Sequence, residues 1–117
     1  MLGQRENARQ KATEAAAGAI KAEIATYAEG LRKQGIAPTG AGVLAALTTQ
    51  AAYTTPSAKN AYIPTLSPYV AATATANGEV GLVAGTATGP DAQTYNVINV
   101  SYKHVAGSGT APVAIDQ

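Results

Sequence analysis

One histidine, His104, and seven carboxylates carry most of the acid–base chemistry open to this 117-residue chain. A catalytic histidine needs a nucleophile and an orienting acid beside it. Ser101 and Ser108 are the nearest hydroxyls in sequence, and no motif surrounds them. His104 therefore reads as a surface or edge-strand residue. Glu79, Asp91 and Asp116 could meet at one end of a sheet and hold calcium with backbone carbonyls. Their spacing fits no calcium loop, so solvated turn residues are the better reading. Cysteine is absent, which excludes disulfides and thiolate metal sites. The glycines form neither G-x-G-x-x-G after a strand nor a phosphate loop with lysine. Asn99-Val100-Ser101 matches the glycosylation triplet but lies inside an expected strand. The tyrosines could stack on bases or sugars, yet few basic residues stand among them, and packing explains them better. A net charge of +1 supplies no field for nucleic acid or an anionic membrane. The expectation is no catalytic, cofactor-binding or metal residue, no cofactor, no enzyme activity and no nucleic-acid partner.

The elements that would position any site begin with one long helix, Gln4 to about Gln34. Ala8, Ala12, Ala15, Ala16 and Ala19 recur along it at helical steps. The stripe then thickens to Ile20, Ile24, Tyr27, Ala28 and Leu31. Alanine, glutamate, lysine, arginine and glutamine are strong helix formers, so propensity and pattern agree. Gly35 reads as the C′ residue, and Pro38 follows at the distance expected after a helix end. About thirty residues would make a rod of roughly 45 Å, longer than so small a domain can cover. Ile20, Ile24, Tyr27 and Leu31 should pack on a sheet. Alanine buries little area, so the front half gains little from its own domain. Its small side chains would instead let other helices approach, which makes Ala8, Ala12, Ala15, Ala16 and Ala19 a candidate subunit interface.

The chain reads as one domain, 1–117, in three parts. Residues 4–34 form the helical spine. Residues 35–68 form a connecting loop, with Thr39 as N-cap of a possible short helix from Gly40 to about Ala52. Pro56, Pro64 and Pro68 break regular structure there, and Tyr53, Tyr62, Ile63 and Leu66 should pin the loop to the core. Residues 69–117 form an antiparallel sheet and a C-terminal tail. Tyr69–Ala76 alternates as a first strand, Asn77-Gly78 signals a tight hairpin, and Glu79–Thr86 returns as the second. Gly89-Pro90-Asp91 turns the chain into the longest strand, Thr94 to Val105. Gly107-Ser108-Gly109 is a flexible turn, and Ala111–Ile115 is an edge strand or tail, with Pro112 favouring an edge. The fold class is α+β: a long N-terminal helix on three or four antiparallel strands. Beyond Gly35 only Lys59, Glu79, Asp91, Lys103 and Asp116 are charged. A neutral, threonine-rich surface of this kind points outside the cell. No apolar run is long enough to span a bilayer, and Met1-Leu2-Gly3 leads straight into charged residues, unlike a secretory signal.

Two stretches carry a resemblance to a family. Ala8-Arg9-Gln10-Lys11-Ala12-Thr13-Glu14-Ala15, followed by Ala19-Ile20-Lys21-Ala22-Glu23-Ile24-Ala25-Thr26-Tyr27, resembles the second half of the long N-terminal helix of type IV pilins and pilin-like subunits. Pro68-Tyr69-Val70-Ala71-Ala72-Thr73-Ala74-Thr75-Ala76-Asn77-Gly78-Glu79-Val80 is similar to the first sheet hairpin of many pilins. The family's hydrophobic helix half, its peptidase site and the two cysteines of its C-terminal loop have no counterpart here. The resemblance implies a filament of identical subunits and partners in a pilus assembly machinery. It also implies an inner-membrane anchor through a missing N-terminal segment before assembly, and a place on the cell surface afterwards. A small secreted recognition domain, binding through Tyr53–Pro68 or Gly107–Gly109, is the alternative.

Overall fold

The computed structural model of the protein describes residues 2–56 and 58–115. The first helix, α1, runs from Leu2 to Lys33. Its end is a Schellman motif: Ile36 N–H bonds the Leu31 carbonyl at 2.9 Å and Gly35 N–H bonds that of Arg32 at 3.0 Å. Gly35 supplies the left-handed backbone this needs, with φ 77°. Arg32 and Lys33 sit in the last turn, where cations oppose the helix dipole.

A short helix α2, Gly40–Leu47, follows, and Thr39 caps it by accepting the Gly42 N–H at 3.1 Å. It stops earlier than the spacing predicts. Thr48 and Thr49 turn their hydroxyls back onto the Ala45 and Ala46 carbonyls, a bonding pattern that competes with the helix. A single further turn, α3, covers Ala51–Thr54.

The sheet contains β1 (Tyr69–Val70), β2 (Val80–Thr88), β3 (Thr94–His104) and β4 (Gly107–Ala114), in that spatial order. β2, β3 and β4 are antiparallel neighbours. β1 pairs parallel to β2, Tyr69 opposite Val80, so the sheet is mixed and not wholly antiparallel. The expected strand Tyr69–Ala76 is cut to two residues, and no Asn77-Gly78 hairpin forms. A type I′ turn needs positive φ at both residues. Gly78 has φ 87°, whereas Asn77 does not adopt one. Residues 78 and 79 pair instead with β3, through Gly78 N–H to the Lys103 carbonyl and Lys103 N–H to the Glu79 carbonyl. Residues 71–77 are left to cross the outer face of the sheet, where Gly81 gives them room: a Cβ there would lie 2.0 Å from the Ala72 carbonyl oxygen.

The last hairpin also differs. Val105 and Ala106 make the turn, and Gly107–Gly109 already belongs to β4, opposite Tyr102–His104. Pro112 does sit on an edge strand, where its missing N–H costs no ladder bond inside the sheet.

The core lies between α1, α2 and one face of the sheet. Ile20 and Ile24 are wholly buried against Val80, Leu82, Ile98 and Val100, and Val43 and Leu47 of α2 close one side. Tyr27 and Leu31 pack against this cluster half-buried, as the spacing predicts. Each buried isoleucine contributes about 1.5–3 kcal/mol of burial free energy. Two long bonds tie the helix down: the Tyr69 hydroxyl donates to the Ala16 carbonyl at 2.9 Å, and the Arg32 guanidinium reaches the Ile115 carbonyl. Burial also pushes the Tyr69 phenol above its usual range. Tyr53 stacks on Tyr69 with ring centroids 6.2 Å apart. Ile63 and Leu66, expected to pin the 58–66 loop, are about half exposed instead. The loop is held by polar groups: Asn60 Oδ1 accepts the Tyr62 and Ile63 N–H groups at 2.9 and 3.1 Å.

Candidate functional site

His104 is buried at the end of β3, on the helix-facing side, and not at the surface as its position in sequence suggests. Its Nε2 lies 3.0 Å from Glu14 Oε2 of α1, and its ring leans on Tyr102 with centroids 5.5 Å apart. Nδ1 has no partner among the described residues. Neither serine near it in sequence stands beside it. Ser101 belongs to the opposite face, where its hydroxyl accepts the Ala74 N–H at 3.0 Å, and Ser108 is exposed opposite Lys103. His104 and Glu14 join sheet to helix across 90 positions of sequence.

The carboxylates are engaged locally. Glu79 accepts the Thr75 and Ala76 N–H groups at 3.0 and 3.1 Å, and these bonds hold its carboxyl below the usual range. Asp91 accepts the Tyr95 hydroxyl and the Gln93 N–H, with the same effect on its carboxyl. Asp116, the third residue of the imagined calcium cluster, lies outside the described residues. Among the described residues no group of three or more His, Asp or Glu side chains could hold a metal. Asn99 of the glycosylation triplet is half-buried within β3.

Among the described residues the outer side of α1 is left uncovered. Ala8, Ala12, Ala15 and Ala19 are exposed along it. Ala16 is not: it is 3% exposed and packs on the chain's own core, which removes it from the candidate interface. The helix packs on its domain further forward than its large side chains suggest, because Thr13 and Ala17 are buried too. Ala22 and Thr26 continue the exposed row at the same alternating steps of four and three, and Gly18 beside it has nothing within 4 Å of where a Cβ would stand. A row of this kind is flat and methyl-covered, and a second helix could lie at the short end of the usual 8–10 Å interaxial range.

Ahead of Thr13 no described helix residue is buried. The chain meets the helix there through Tyr62, whose hydroxyl donates to Glu6 and accepts the Val105 N–H at 3.3 Å. Arg9 lies over the Tyr62 ring, 5.4 Å from its centroid. No helix among the described residues is long and apolar enough to cross a membrane. No protein-family profile, curated protein or solved structure matches this chain.

Proposed function

We propose that this chain is the soluble part of a structural subunit of an extracellular type IV pilus or pilus-like filament, and that it polymerises through α1. The observation that carries the reading is the 32-residue helix whose sheet covers one side only, with Ala8, Ala12, Ala15 and Ala19 exposed on the other. The fold is then pilin-like, and its partners are identical subunits and a pilus assembly machinery. A hydrophobic segment ahead of Leu2 anchors the subunit in the inner membrane before assembly and enters the filament core afterwards. The role is mechanical and adhesive, with no catalysis and no cofactor.

The test is assembly. The chain is expressed behind a hydrophobic pilin helix half in a cell with the machinery, and fibres are sought by electron microscopy. Fibres are expected, and Ala12→Glu with Ala19→Glu should abolish them while circular dichroism of the soluble domain stays unchanged. Fibres indifferent to both charges would overturn the assignment of this helix face.

A second reading, a secreted domain that binds a ligand or surface, is favoured by Ile63 and Leu66, exposed at 47% and 51% on the 58–66 loop. Loss of surface attachment in Ile63→Ser with Leu66→Ser, without loss of fold, would support it.

A further inference from the structure

The Val105-Ala106 turn is made of residues that a turn does not ask for. Tight hairpins favour glycine, asparagine and aspartate, and a β-branched residue gains nothing at the tip. Val105 is nevertheless there and 61% exposed, more than any other large apolar side chain described. Its backbone N–H bonds the Tyr62 hydroxyl, and most of its side chain stands clear of its own chain as a knob.

At the other end of β3, on the outer face of the sheet, is a hollow of about 220 Å³. Ala87, Gly89, Tyr95, Val97, Pro112 and Ala114 line it, and its wall is mostly apolar. Val105 lies ten positions beyond Tyr95, about 33 Å at 3.3 Å each along the strand, so one molecule cannot fill its own hollow. The charges match across that span. Asp91 stands at the rim of the hollow, its Oδ1 2.9 Å from where a Gly89 Cβ would lie. Lys103, two residues before the knob, belongs to the strand phase that faces the same outer side.

We propose that the Val105 tip of one copy seats in the Ala87–Tyr95–Ala114 hollow of the next, with Lys103 approaching Asp91. The contact joins two different patches, so it is heterologous and repeats without closing into a two-fold dimer. It rests on the filament reading only for its place in a fibre, where it adds a sheet-to-sheet contact along the axis to the packing of α1.

The chain has no cysteine, so introduced thiols report on one pair at a time. Val105→Cys and Ala87→Cys chains are mixed in equal amounts at high concentration and oxidised mildly. The mixed dimer should exceed either homodimer at least several-fold, and the chain carrying both thiols should give a ladder of multimers. Lys103→Glu should reduce the yield, and Val105→Cys mixed with Ile36→Cys should give none above background. A statistical mixture of the three dimers, or no dimer, overturns the contact. Since an altered chain could misfold, the unaltered chain supplies a second measurement: Tyr95 and Ala114 resonances should shift on concentration, and Val105→Asp should remove the shift. Concentration-independent resonances overturn the contact as well. Cross-linking without fibres would leave the contact standing and sink the filament reading. Fibres whose subunits fail to cross-link would do the reverse.

Discussion

Among the described residues, Gly35, Gly78 and Ala92 hold left-handed backbone, and their surroundings separate conformational strain from steric collision. Gly35 has φ 77° and open space where a Cβ would be. Gly78 has φ 87°, and a Cβ there would lie 2.0 Å from Asn60 Oδ1. Ala92 has φ 64° in the Gly89–Gln93 turn, with a side chain that makes this backbone costly. Gly35→Ala should therefore cost about 1 kcal/mol, the strain of left-handed backbone less the entropy gained by losing a glycine. Ala92→Gly should change stability by a similar amount in the favourable direction. Gly78→Ala should cost about 3 kcal/mol or more, because Asn60 is buried and its carbonyl oxygen holds the 58–66 loop by two N–H bonds. Urea unfolding of the three variants checks both the signs and the order. Equal losses at Gly35 and Gly78 would mean that Asn60 moves aside without consequence.

The helices and the two long strands were legible because their large apolar residues recur at one period. Ile20, Ile24, Tyr27 and Leu31 mark a helix face, and Ile98, Val100 and Tyr102 mark a strand face. Alanine marks neither well. Along α1 an exposed row and a buried row are both built from it, which is why Ala16 could not be told from Ala15. In 71–76 the alternation of alanine and threonine has period two, but its side chains are too small to hold a strand on a sheet. Polar side chains decide that segment. Ser101 takes the Ala74 N–H from across the sheet, and Glu79, three and four residues on, takes those of Thr75 and Ala76; the apolar period announces neither. The His104–Glu14 contact was hidden for a similar reason, since it depends on where α1 crosses the end of β3.

This arrangement makes the loop sensitive to acid. The Glu79 carboxyl titrates lower in the folded chain than in the unfolded one, chiefly because it accepts the Thr75 N–H and then that of Ala76. Its contribution is thus present above the ordinary glutamate range, about 4.3. It is lost as pH falls through the lower folded value, because the unfolded chain takes the proton first. Glu79→Gln should flatten part of the stability loss between about pH 5 and pH 3 while leaving the neutral-pH fold intact. Chemical denaturation across that range measures it, and an unchanged acid slope would show that Glu79 does not hold the loop.

The whole molecule measures 51 × 31 × 19 Å, and its long dimension is close to the roughly 48 Å expected of a 32-residue helix. The helix and the body are therefore not equally stable along their shared length. From Thr13 to Ala28 one side of α1 is buried, and opening it exposes the core. From Gln4 to Ala12 nothing described is buried, and the helix depends on propensity and on the clasp from Tyr62 to Glu6 and Arg9. Amide exchange should follow that division, slow at Ile20 and Ile24 and rising steadily toward Gln4. The clasp adds a second handle. Tyr62→Phe removes the hydroxyl that joins Glu6 to the Val105 turn, but it keeps the ring under Arg9. Its loss should cost about 1 kcal/mol, speed exchange at 4–12 and leave 16–28 unchanged. Such a result would describe a spine that is firm where it meets its sheet and pliant where a neighbouring helix would have to be met. Uniform protection along α1 that Tyr62→Phe leaves untouched would mean that the front of the helix is held by something other than this clasp. An exposed alanine row would then be no argument that it waits for a partner.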